Sequence, residues 1–194
     1  ALESRSTYPI GALGGIDGRN IQAGDVIPVG EADMIEPGLS VPENLRRMPG
    51  KPAELRVLPG LYWHRLTSAA QEGFFRDDWT VALEADRRFK GGKPLEFVER
   101  EQPFGAGADP SNIVDGCYSY GSIQVPGGLE PIVLHRDAVS GGGYFTLGAI
   151  ISADMDLIGQ LQPHTQVKFR KVDMDEALQA RAARKKMLAA VRAH

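Results

Sequence analysis

Up to residue 172, no apolar pattern in this chain runs for more than about ten residues before a glycine or proline stops it. Glu54 to Leu58 alternates polar and apolar with period two, the mark of a half-buried strand, and Pro59-Gly60 ends it. Trp79 to Leu83, Tyr118 to Val125, Ile132 to Leu134, Tyr144 to Ile151 and Gln166 to Arg170 read as further short strands, and Gly141-Gly142-Gly143 as a stop before one of them. With 23 glycines and 13 prolines in 194 residues, well above the usual ~12% for the two together, a helical bundle is disfavoured. The pattern predicts a mainly β, antiparallel-leaning body over residues 1–172. Two short helices fit into it. Thr67 or Ser68 caps one running through Phe75, with Ala69, Phe74 and Phe75 turned inward, and Asp154 to Leu161 forms the other.

The last segment follows a different rule. Asp173 with Glu176 three residues on is a capping box, and Ala177, Leu178, Ala182, Leu188 and Val191 follow it, so residues 173–194 are expected to form a helix. Its cations Arg181, Arg184, Lys185, Lys186 and Arg192 gather near the C-terminal end, where they complement the helix dipole and form either a solvated face or a docking surface for an acidic partner. Elsewhere, Glu31 to Pro52 and Glu99 to Gly116 read as loops. The glycines at 11, 14, 15, 18, 24 and 30 serve turns around a short strand, Asp25 to Val29, rather than a phosphate loop, because no strand precedes them and no helix follows.

Several function classes drop out at this level. A net charge of -3 supplies no field for nucleic acid, and no run approaches the ~18 apolar residues of a membrane span. One cysteine, Cys117, rules out an internal disulfide and fits a reducing, cytoplasmic setting; it is expected to be a small buried residue rather than a nucleophile. Ala1 to Thr7 carry no initiator Met, basic n-region or apolar h-region, so no leader is read there and the chain is expected to begin inside a longer pattern. The histidines at 64, 135, 164 and 194 form no metal-binding pair, no G-x-S-x-G elbow occurs, and no metal site is expected.

Polar groups concentrate between Asp109 and Tyr144: Ser111, Asn112, Asp115, Tyr118, Gln124, His135, Arg136 and Asp137 lie among apolar strand residues. Such groups either hold loops together or bind a polar ligand. Asp137 follows the Ile132-Val133-Leu134 strand just before a glycine-rich loop, where it can act as a general base toward an amide or urea nitrogen or can cap the turn at Val139 to Gly141.

Five motifs, in order, carry a family resemblance: Ser4-Arg5-Ser6-Thr7-Tyr8 with Gly14-Gly15-x-x-Gly18-Arg19 and Ala23-Gly24-Asp25; Pro110-Ser111-Asn112-Ile113-Val114-Asp115-x-x-Tyr118-x-x-Gly121; Gln124-Val125-Pro126; Pro131-Ile132-Val133-Leu134-x-x-Asp137; and Gly142-Gly143-Tyr144. Together they resemble the allophanate hydrolase subunit 2 family, which includes the carboxyltransferase-type domain of urea carboxylase, the C subunit of bacterial 5-oxoprolinase and KipA. The Pro-Ser-Asn element resembles the urea carboxylase branch, whereas Gln-Val-Pro with Gly-Gly-Tyr resembles the 5-oxoprolinase branch.

The resemblance implies a cyclophilin-like β-barrel that works with a subunit 1-type partner. In one branch a carboxyl group passes from carboxybiotin, borne by a separate carrier domain, to a small amide or urea nitrogen; in the other an ATP-dependent complex opens a lactam. KipA implies a third option, a regulatory binding module without turnover. No cofactor is expected to be bound covalently. Under this resemblance Asp137 accepts the proton, Asn112 and Gln124 position the amide or the biotin ureido ring, and Asp115, Tyr118 and Tyr144 line the pocket. Two departures stand out: the chain matches only the C-terminal two thirds of the family pattern, so an N-terminal portion is an expected partner, and Asp86-Arg87-Arg88-Phe89-Lys90-Gly91-Gly92 replaces the family's Asn-Arg-x-Gly-Tyr-Arg-Leu element.

Overall fold

The computed structural model describes residues 6–31, 38–83, 87–99, 101–136 and 141–192. Contacts divide the chain into two compact units, residues 1–40 and 41–194. In the first, β1 (Thr7–Tyr8) pairs antiparallel with β2 (Leu13–Gly14). The Arg19 guanidinium grips Asp25 through two hydrogen bonds of 2.8 and 2.9 Å, holding that carboxylate below its ordinary range. The strand expected at Asp25 to Val29 does not form. Asp25 caps a turn by accepting from the Gln22 amide, and Val26 and Val29 stand exposed with no sheet to join.

The second unit contains β3 (Ala53–Pro59), α1 (Ser68–Arg76), β4 (Trp79–Val81), β5 (Phe89–Gly91), β6 (Asn112–Cys117), β7 (Ser122–Gln124), β8 (Ile132–Val133), β9 (Gly141–Tyr144), β10 (Thr146–Ile150), α2 (Met155–Ile158), β11 (Gln166–Lys171) and α3 (Met174–Arg192). Seven strands form one sheet in the order β5-β4-β11-β3-β10-β7-β8. Its pairings are antiparallel except β3 with β11, which run parallel. The two ends then approach each other: Phe89 N donates to Pro131 O at 2.9 Å, Val133 N donates to Arg87 O at 3.0 Å, and Arg88 bridges Ile132. The sheet is thus a nearly closed barrel, which leaves little unpaired edge.

Alternation decides which side chains fill it. Ala53, Leu55 and Val57 of β3 and Val167 and Phe169 of β11 point inward, with Glu54, Arg56, Lys168 and Arg170 between them turned out. Helix α1 brings Phe74 against the core, its ring stacked on Phe169 at 4.7 Å, while the Trp79 indole donates to Phe74 O at 3.0 Å. Ala70, one position from the expected Ala69, is the alanine facing in. Thr67 caps α1 by accepting from Ala70 N at 3.2 Å. Thr67→Ala is therefore expected to lower stability by about 1 kcal/mol, read as a shift in urea midpoint with unchanged slope; no shift would mean that this cap is energetically idle.

Other expectations need correcting. The second half of the stretch read as a loop, Glu99 to Gly116, enters strand β6, and the Gly141 to Gly143 stop is strand β9; the two pair antiparallel as a separate ribbon. Glycine has no side chain to alternate, so period two is invisible there. Of Tyr118 to Val125, only Ser122 to Gln124 joins the barrel, because the Ser119 amide donates to the Ser122 hydroxyl and turns the chain first. The second helix shrinks to Met155 through Ile158. Cys117 is exposed, on the ribbon rather than in the core.

Candidate functional site

A buried cation fixes where the ribbon starts. Arg65, at the end of a single helical turn before α1, is almost fully buried; its guanidinium donates to Pro110 O at 2.6 Å and Asn112 O at 3.1 Å, and lies 5.4 Å from the centre of the Phe145 ring. Asp109 takes both the amide (2.8 Å) and the hydroxyl (2.6 Å) of Ser111, and the Ser111 oxygen accepts from Gly127 N at 3.0 Å. This chain of bonds ties the segment entering β6 to the turn leaving β7. Gly128, in that turn, has φ +71, and a Cβ there would sit 2.6 Å from Leu95 O, so only glycine fits.

The two segments form part of the wall of a cleft of about 550 Å³, together with Thr67, Glu96, Phe97, Glu99 and Gln102. Among the described residues its lining carries the acidic Glu96, Glu99 and Asp109 and no lysine or arginine. Gln102 donates its amide to Asp109 O at 3.0 Å, yet its Oε1 is buried and has no partner among the described residues. An acceptor taken from water and left unmatched costs about 1–3 kcal/mol, and an N–H from a guest would satisfy it once the side chain turns that oxygen toward the cleft. Gln102 lies in the stretch read as a loop, with no periodicity or motif to mark it; only burial singles it out.

The expected site residues divide between neighbouring elements. Asn112, Asp115, Tyr118 and Tyr144 all belong to the β6–β9 ribbon or its end: Asn112 stands opposite Tyr144, and the Tyr118 hydroxyl accepts from Tyr144 N and donates to Tyr144 O, both at 2.9 Å. Gly142 makes this possible, because a Cβ there would lie only 3.2 Å from the Tyr118 oxygen. Asp115 is exposed and accepts from Gly116 N. Gln124 is buried on β7 of the barrel, opposite Thr146, two residues beyond Tyr144. Asp137 lies outside the described residues. None of the five described residues lines the cleft itself; the cleft is lined by Pro110 and Gly127, two and three residues from Asn112 and Gln124. No group of three or more potential metal-ligating side chains occurs among the described residues, and none of their helices is long and apolar enough to cross a membrane.

Comparison with known proteins agrees with this architecture. The family model described as carboxyltransferase domain, subdomain A and B, matches residues 1–171. The chain is 30% identical over 185 residues to the C subunit of 5-oxoprolinase from Haemophilus influenzae, covering 93% of this chain and 54% of that protein. It is also 30% identical over 183 residues to a putative urea carboxylase of Emericella nidulans, covering 92% of this chain and 14% of that one. The crystal structure of Kluyveromyces lactis urea carboxylase superposes with a TM-score of 0.77 at 26% identity, over 98% of this chain and 18% of that one. The chain thus spans about half of the bacterial relative and a small part of the fungal ones.

Proposed function

The chain belongs to the carboxyltransferase family, subdomains A and B, and from that premise we propose that it forms part of a biotin-dependent carboxyltransferase of the urea carboxylase type, acting on a nitrogen of urea or a similar small amide. The observation that carries the choice of guest is the cleft: its acidic wall, without lysine or arginine among the described residues, and the Gln102 oxygen with no partner among them suit an uncharged molecule rich in N–H groups. A ureido ring or a urea has such donors.

Within this reading, Gln102 holds one N–H of the guest, and Asn112 and Gln124, which do not line the cleft, support from behind the two wall segments joined by Ser111. Asp137 takes the proton that a weakly nucleophilic nitrogen must lose before it can attack. Tyr118, by clamping both backbone groups of Tyr144, keeps the ribbon from shifting, and Asp115 and Tyr144 complete its outer side. Carboxybiotin, when delivered by a carrier domain, supplies the carboxyl group. A subunit 1-type protein and an N-terminal portion complete the working assembly.

A second reading follows from the 30% identity to the C subunit of a 5-oxoprolinase, in which the assembly couples ATP use to lactam opening. The two separate cleanly when the chain is reconstituted with its subunit 1-type partner and supplied in turn with urea plus carboxybiotin and with 5-oxoproline plus ATP. Carboxylation of urea without 5-oxoproline turnover is the expected result. The reverse pattern would transfer the chain to the oxoprolinase branch, and binding of amides without turnover of either would make it a KipA-like regulatory module.

A further inference from the structure

Helix α3 begins just beyond the 171 residues matched by the family model, and one face of it is seated on the body, with Ala177, Ala180, Arg184, Met187 and Val191 half-buried along it. Ala177 and Ala180 pack on Ile151, Ala153 and Val172. A groove of about 310 Å³ beside this face is bordered by Arg47, Arg56, Ala183 and Met187, and Arg184 pairs with Asp156 (Nε to Oδ2, 2.9 Å). The flank of the helix next to that seated face carries Met174, Leu178, Arg181, Lys185 and Leu188, spaced four, three, four and three residues apart. That is the 3.5-residue period of a helix–helix seam. Met174, Leu178 and Leu188 are 55%, 52% and 37% exposed, and Arg181 and Lys185 are exposed between them.

Charge identifies what fits on that seam. A cleft of about 330 Å³ beside it brings Tyr120 and Arg136 from the β6–β8 region against Arg181, Lys185 and Leu188, with the Arg136 guanidinium 5.2 Å from the centre of the Tyr120 ring. Arg136, Arg181 and Lys185 form no ion pair among the described residues. A second copy packed antiparallel on this stripe would set the central cations against one another, which disfavours self-pairing. We propose that this exposed flank of α3 is a docking surface for an acidic amphipathic helix of a partner protein, whose apolar residues meet Leu178 and Leu188 and whose carboxylates meet Arg181, Lys185 and Arg136.

The test uses the full chain and a fluorescent synthetic peptide built of leucine and glutamate heptads, with a leucine and lysine version as its counterpart, followed by anisotropy over a salt series. The acidic peptide is expected to bind, more weakly as salt rises, and the basic one not to bind. Arg181→Glu with Lys185→Glu should lower affinity for the acidic peptide by about tenfold or more and confer binding of the basic one. Leu178→Ala with Leu188→Ala should weaken binding while circular dichroism stays native. Equal binding of both peptides, no binding of the acidic one, or indifference to the charge reversal would overturn the proposal. So would self-association in sedimentation that the two leucine substitutions abolish, or a preference for anionic phosphatidylserine vesicles over the acidic peptide through the same residues.

Discussion

Replacing Asp154 with asparagine is expected to lower the free energy of unfolding by about 3 kcal/mol, toward the lower end of what removing one partner of a buried ion pair costs. Asp154 is 1% exposed and accepts from Arg56 three times, from the backbone N (2.9 Å), Nε (2.9 Å) and Nη2 (2.7 Å), while Arg47 binds its other side and the neighbouring Ala153 O. One carboxylate therefore joins β3, the segment before it and the start of α2. Asparagine keeps the shape but leaves two guanidinium groups without a counter-charge. Their side chains retain 28% and 21% exposure, so water recovers part of the loss. Urea unfolding of the two proteins measures the difference, and a loss below about 1 kcal/mol would show that the network is no more than an ordinary hydrogen bond. Arg56→Met in the Asp154→Asn background should recover some stability, since it removes the stranded charge.

The sign of the pH dependence follows from the same contacts. Burial pushes the Asp154 carboxyl up, but the hydrogen bonds from Arg56 and Arg47 outweigh it, and its pKa in the fold lies below the ordinary 3.8. A carboxyl depressed in the folded state adds stability that is complete above its unfolded value and disappears as the pH falls through the folded one. The gap between wild type and Asp154→Asn is therefore expected to stay constant from neutrality to about pH 5 and to close on further acidification. A gap that widened in acid would reverse the assignment.

The second large effect concerns turnover by the reconstituted assembly. Asp137→Asn is expected to reduce kcat by about 10²–10⁴ with KM nearly unchanged, the loss that follows removal of a positioned proton acceptor. Gln102→Met should behave differently. It removes an acceptor that meets the guest in both ground and transition states, so KM rises and kcat/KM falls by roughly tenfold to a hundredfold. Stability should change little, because the lost bond to Asp109 O is offset by relief of the buried, unmatched Oε1. Full activity in Asp137→Asn would remove the proton-transfer role. A Gln102→Met protein that is markedly less stable yet kinetically normal would make Gln102 a structural residue and take the guest out of the cleft.

Only part of this was readable in the chain. Alternation at Glu54 to Leu58 and Gln166 to Arg170, the Thr67 cap and the Asp173–Glu176 box each depend on residues within a few positions of one another, and β3, β11, α1 and α3 form where they were expected. The family motifs likewise led to a mainly β barrel. Local rules failed where the partner is remote: the glycine strand β9 is defined by β6, and the arginine that meets Asp154 is 98 residues away. What the sequence determined by itself was part of the set of strand and helix segments, with β3, β11, α1 and α3 in it, and their apolar faces, since those depend on dihedral preference and period. Only the tertiary structure decided that the barrel nearly closes, that Arg65 and Ser111 fasten the cleft wall, and that Gln102 holds there an acceptor with no partner among the described residues. Burial and hydrogen-bond satisfaction are properties of groups brought together across the chain, and no local pattern encodes them.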